Sequence, residues 1–62
     1  MKTFKIELTF LDELGTYHYK IVTVQGDSIS DAKEFVSELI EDYEDDNNWD
    51  YVGSALLEAN DG

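Results

Sequence analysis

Six carboxylates fall within the twelve residues Leu39 to Asp50, LIEDYEDDNNWD, and no basic residue stands among them. Side chains of this kind can chelate a hard cation, exchange protons as a general acid and base, or present a row of negative charge to a basic surface. Each use demands a different spacing. A calcium loop wants oxygen ligands at positions 1, 3 and 5, a glycine at 6 and a bidentate glutamate at 12. Asp46, Asn48 and Asp50 meet the first three, but position 6 is Tyr51, position 12 is Leu57, and Glu58 comes one residue late. Weak, non-selective divalent binding suits these acids better than a built site. No metal and no cofactor is expected.

Catalysis finds little to work with. His18 is the one histidine and stands between Tyr17 and Tyr19 in a strand-like stretch. A general base needs an orienting partner and a pocket, and a core this small can hardly form a cavity of about 300 Å³ or more. An exposed or cross-strand-paired histidine is the expectation. There is no G-x-G-x-x-G, P-loop or nucleophile elbow, so the chain reads as a binding protein and not an enzyme.

The elements that carry the acids follow from periodicity. Phe4, Ile6, Leu8 and Phe10 alternate with Lys5, Glu7 and Thr9, the period-two pattern of a half-buried strand. Asp12-Glu13-Leu14-Gly15 reads as a loop, with Gly15 free to take positive φ. Tyr17 to Gln25 (YHYKIVTVQ) is rich in β-branched and aromatic residues and supplies the hairpin partner. Its Val22 and Val24 join the core, which sends Tyr17, Tyr19, Ile21 and Thr23 to the opposite face. Gly26-Asp27 breaks the strand and Ser28 caps a helix, with Asp31 at the capping-box position. Ala32, Phe35, Val36, Leu39, Ile40 and Tyr43 then form one apolar stripe, and Asn47-Asn48 ends the helix.

Trp49 to Ala59 is ambiguous. Its start favours a strand and SALLEA has helical propensity; the strand is preferred because two strands and a helix leave a sheet too narrow to stand alone. Asn60-Asp61-Gly62 is expected to fray. Trp49 reads as a lid on the core at the helix-strand junction, with an interface anchor as the alternative. The chain is thus a single α+β domain over residues 1–62, β-β-α-β, a three-stranded antiparallel sheet in order 2-1-3 with one helix packed on one face. The uncovered face carries Tyr17, Tyr19 and Ile21, a second contact surface for a partner or a homodimer, unless these residues simply pair with Lys5, Glu7 and Thr9 across the hairpin.

Sixty-two residues without cysteine rely on hydrophobic burial alone, which supplies about 3–5 kcal/mol at this size. Against that, the charge is expensive. Residues 1–26 balance three lysines with three acids, whereas residues 27–62 set twelve acids against Lys33, so the net charge of −11 belongs entirely to the second half. Glu34/Glu38, Glu38/Asp42 and Glu41/Asp45 stand at i,i+4, and Glu41, Asp42, Glu44, Asp45 and Asp46 crowd the negative pole of the helix dipole. Together these placements cost roughly 2 kcal/mol. A requirement other than folding is the simplest reason to retain them. Such a field repels nucleic acid and anionic membranes and attracts basic proteins. The N-terminus lacks the apolar core of a secretory signal, and no apolar run approaches the roughly 20 residues of a membrane span, so a cytoplasmic location is expected.

A small, cysteine-free, strongly acidic β-β-α-β chain resembles the phage-encoded inhibitors that imitate DNA: anti-CRISPR proteins, anti-restriction proteins and inhibitors of uracil-DNA glycosylase. The resemblance lies in size, charge and element order along the whole chain, with no shared motif. It implies a blocker that occupies the basic DNA-binding groove of a nucleic-acid-binding enzyme or ribonucleoprotein complex in the host cytoplasm. The residues expected to dock are Glu34, Glu38, Glu41, Asp42, Glu44, Asp45, Asp46 and Asp50. The other two readings are a small interaction module using the Tyr17, Tyr19 and Ile21 face, its acids only solubilising, and a calcium-responsive protein. An acidic adaptation to high salt would produce the same composition.

Overall fold

The computed structural model describes residues 1–61. Strand β1 (Lys2–Leu11) is central, hydrogen-bonded to β2 (Tyr17–Gly26) on one side and to β3 (Asp50–Asp61) on the other, both antiparallel, and helix α1 (Ile29–Asn47) crosses one face. This is the expected β-β-α-β α+β fold with strand order 2-1-3.

Local chemistry explains each boundary. In the β1–β2 loop, Asp12 Oδ1 accepts from the backbone N–H groups of Leu14 and Thr16, both at 2.9 Å, and Gly15 takes φ 83°. At the start of α1, Ser28 Oγ accepts from Asp31 N at 3.4 Å. Gly26, at the end of β2, lies so close to that first turn that a β-carbon would stand 3.1 Å from Ala32 N and from Asp31 Cβ. At the other end Asn48 takes φ 57°, ψ 43°, the left-handed cap that asparagine tolerates.

The core is wholly apolar. Phe4, Ile6, Leu8 and Phe10 from β1, Val22 and Val24 from β2, and Ala32 and Val36 from α1 are buried, with Ile29, Leu39, Ile40, Tyr43 and Trp49 packed around them. Phe10 is fully buried at the centre of an aromatic group, its ring centroid 5.5 Å from that of Tyr43, 5.6 Å from Trp49 and 5.9 Å from Tyr51.

Two expectations need correction and a third, the strand at SALLEA, holds. Phe35 belongs to the apolar stripe by spacing but is 56% exposed, because α1 sits mainly against β2 and Phe35 lies at the outer edge of the stripe, beyond the reach of the core. SALLEA is strand throughout, as preferred over its helical propensity, since pairing with β1 overrides local preference. Asn60 and Asp61 pair with Thr3 and Lys2 and do not fray within the described residues; Gly62 lies outside them. The tilt of α1 toward β2 also leaves Leu56, which pairs with Ile6 on the helix side of the sheet, 52% exposed.

Candidate acidic interface

At 100° per residue, Glu34, Glu38, Glu41, Asp42 and Asp45 occupy an arc of about 100° on the side of α1 opposite Ala32, Val36 and Tyr43. The stripe fixes this arrangement, because burying one side of the helix turns the other to solvent. All five are exposed, as is Asp46 at the flank. Among the described residues Lys5–Glu58 at 3.5 Å is the lysine–carboxylate ion pair and His18 meets Asp12 in a hydrogen bond at 2.8 Å; no carboxylate of α1 takes part in either. The last turn of α1 contains no basic residue, so Glu44, Asp45 and Asp46 meet the negative end of the dipole without compensation.

Two of the expected docking residues stand apart from this row. Glu44 is half-buried, and its Oε2 accepts from the backbone N–H of Tyr51 at 3.2 Å, which ties the helix end to the start of β3. Its role is accounted for within the fold. Asp50 is exposed but belongs to β3, opposite Leu11, and not to the helix.

Beside the row, an open groove of about 520 Å³ runs between α1 and β2, lined by Thr23, Val24, Gln25, Phe35, Glu38, Leu39 and Asp42. It is an open surface groove at the free edge of β2 and not a cavity within the core, the kind of space that so small a core can hardly hold. Phe35 stands in it with two carboxylates alongside.

The uncovered sheet face carries Tyr17, Tyr19 and Ile21 at 54, 60 and 60% exposure. Their partners across the hairpin are Leu11, Thr9 and Glu7, and this pairing leaves more than half of each residue's surface open to solvent.

His18 is paired across the hairpin, opposite Phe10, the second of the two placements expected for it, and it also gains tertiary partners. It shares the inward face of β2 with Val22 and Val24, and is half-buried between Asp12 and Trp49. An ionised carboxylate only accepts, so the contact at 2.8 Å has His18 Nε2–H donating to Asp12 Oδ2. This bond, followed by the Thr16 and Leu14 amides, holds the Asp12 carboxyl below the usual carboxylate range against the opposing effect of desolvation. Lys20 Nζ approaches the same indole at 5.8 Å. Parity could have revealed the cluster: His18, Lys20, Val22 and Val24 alternate on one face, and Phe10 lies opposite His18 in the register.

Calcium geometry is absent among the described residues, where no three His, Cys, Asp or Glu side chains converge on a common point. The loop that would chelate is taken up otherwise. Asn48 Nδ2 donates to Glu13 Oε1 at 2.6 Å, and residues from Asp50 onward are strand. Among the described residues no helix is long and apolar enough to cross a membrane. Comparison with protein-family models, curated proteins and solved structures finds no match to this chain.

Proposed function

We propose that this chain is a non-enzymatic, DNA-mimicking inhibitor that acts in the cytoplasm by laying the acidic side of α1 into the basic DNA-binding groove of a nucleic-acid enzyme or ribonucleoprotein complex. One observation carries the reading. Glu34, Glu38, Glu41, Asp42, Asp45 and Asp46 are exposed on one side of a helix, with no ion-pair partner among the described residues. Residues three or four apart on a helix recur every ~4.5–6 Å along its axis, close to the spacing of phosphates along a strand. A groove lined with lysine and arginine recovers with such a row the Coulomb and counterion-release terms that favour DNA. Phe35 adds an apolar contact at the margin of the row, of the kind that gives a charged interface its specificity.

The test uses purified DNA-cleaving and base-excising enzymes, including restriction endonucleases, guide-loaded CRISPR nucleases and uracil-DNA glycosylase. Inhibition that duplex DNA competes away, that weakens steeply between low and physiological salt, and that Glu38→Lys/Asp42→Lys abolishes is the expected result. The exposed Tyr17, Tyr19 and Ile21 favour a second reading, an interaction module working through the open sheet face. A complex indifferent to salt and lost on Tyr19→Ala would replace the first reading with that one.

A further inference from the structure

We propose that the free edge of β3 pairs with the same edge of a second copy of this chain, forming a two-fold dimer with one continuous six-stranded sheet. The inference does not depend on the target of the acidic helix.

With β1 in the centre of the sheet, one whole side of β3 presents its backbone donors and acceptors to solvent. Soluble proteins ordinarily blunt such an edge with lysine, proline, an inward charge or β-bulges. From Tyr51 to Leu57, YVGSALL, β3 has no lysine, proline or charge: seven successive uncharged residues in a chain of net charge −11, with register irregularities at Val52 and Leu57 as the one such device. Val52, Leu56 and Leu57 are 54, 52 and 48% exposed there. The other edge, β2, carries Lys20 at its middle and has α1 alongside it.

The register selects both the occupant and the pairing. Two irregularities interrupt the pairing of β3 with β1, where Val52 and Leu57 are skipped. As a result Tyr51, Ser54, Leu56 and Ala59 are the residues that face Phe10, Leu8, Ile6 and Phe4 on the helix side. That set is symmetric about Ala55. An antiparallel copy centred there sets Tyr51 against Ala59 and Ser54 against Leu56, so helix-side residues meet helix-side residues at every step. It also sets Asp50 against Asn60 and Glu58 against Val52, so no carboxylate opposes another. Moving the centre one residue toward Ser54 brings Asp50 against Glu58; moving it toward Leu56 sets inward Ser54 against outward Glu58. Only the Ala55 centre satisfies both the faces and the charges, which is the self-complementarity an isologous interface requires.

The product is geometrically consistent. Edge-to-edge pairing keeps both helices on the same side of the extended sheet. Each leans toward its own β2, the far edge of the dimer, so the acidic rows lie apart and the roughly 8 Å screening length at physiological salt limits their repulsion. The Leu56 side chains become diagonal neighbours across the two-fold and cover the surface that the tilted helices leave open.

The chain contains no cysteine, so a single introduced thiol reports the register. Ala55→Cys places two thiols on directly opposed residues, with Cα atoms ~4.5–5.5 Å apart, within disulfide reach. Mild oxidation then yields a covalent dimer. Glu58→Cys lies six residues from its own copy, about 20 Å along the strands, and Thr23→Cys is on the opposite edge of the sheet; neither cross-links. Sedimentation equilibrium of the unaltered chain shows a reversible dimer that strengthens with salt, the opposite of the dependence expected for the acidic interface. Leu56→Lys weakens it about tenfold or more while the far-ultraviolet dichroism of the monomer is retained. A monomer at every concentration up to millimolar overturns the proposal. So does cross-linking of Glu58→Cys or Thr23→Cys as fast as Ala55→Cys.

Discussion

The imidazole of His18 lies nearly parallel on the indole of Trp49, with 4.2 Å between ring centroids and 9° between planes. The stack joins β2 to the α1–β3 junction, and Trp49 in turn covers the fully buried ring of Phe10. Trp49→Ala removes both contacts. Deleting a buried tryptophan costs about 3–5 kcal/mol, so for this half-buried one a loss of about 2 kcal/mol is expected. In a domain of this size that lowers the melting temperature by roughly 10 °C or more, readable by far-ultraviolet dichroism. A fall of only a degree or two would show that the indole is a passive cover.

Asp12 makes stability depend on acid. Its carboxyl is held below the usual range by the His18 hydrogen bond first, then by the amides of the loop it organises. A group whose pKa is lowered by folding contributes stability that is fully present above its unfolded value of about 4 and is lost as pH falls through the folded value. Glu58 acts in the same direction through Asn60 Nδ2 and Lys5. Asp12→Asn should therefore flatten the decline in stability below about pH 4, measured by urea unfolding across pH. Wild-type and variant curves that stay parallel through that window would exclude the coupling.

Glu44 and Asp45 are neighbours in the last turn with opposite expected behaviour. Glu44→Ala leaves the Tyr51 N–H without its acceptor at 3.2 Å and should cost about 1 kcal/mol. Asp45→Lys removes a charge from the negative pole of the dipole and breaks no side-chain hydrogen bond among the described residues, so stability should hold or rise. Denaturant midpoints of the two variants test this. Equal losses would mean that the row is part of the fold and not a surface retained for a partner.

Periodicity made the fold legible because each element has one dominant pattern. The alternation from Phe4 to Phe10 gives β1, Ser28 and Asn48 mark the ends of α1, and the apolar stripe turns the acids outward. What stayed hidden depends on tertiary placement. Phe35 fits the stripe, yet only the tilt of α1 toward β2 decides that it is exposed. Glu44 has the composition of its acidic neighbours and is distinguished only by where β3 begins. His18 acquires its carboxylate partner because the hairpin loop folds Asp12 back over β2, a contact with no local sequence signal beyond strand parity.

Calcium should act as no more than a diffuse counterion. Asn48 and Glu44 are engaged by Glu13 and Tyr51, and Asp50 opens a strand where a chelating loop would have to turn. Millimolar calcium should shift the melting temperature no further than magnesium at equal ionic strength does. A selective rise with calcium would restore the metal reading.

Phe35 offers the sharpest separation of folding from binding. A phenylalanine that is 56% exposed, in an open groove beside Glu38 and Asp42, adds little to the core but is well placed to anchor a partner. Most of its surface stays in water in the free protein, so Phe35→Ala should cost under about 1 kcal/mol of stability, well short of the 3–5 kcal/mol of a buried phenylalanine. On binding, exclusion of water from an aromatic ring flanked by charge pairs is worth about 2 kcal/mol, so affinity for the target should fall roughly tenfold or more. Charge reversal at Glu38 should weaken the salt dependence of that complex, whereas Phe35→Ala should leave the salt slope unchanged and shift the curve bodily. Titration calorimetry at two salt concentrations resolves the two effects. A loss of stability in Phe35→Ala as large as that of a buried ring would show that the groove closes over Phe35 in solution and is not a surface open to a partner.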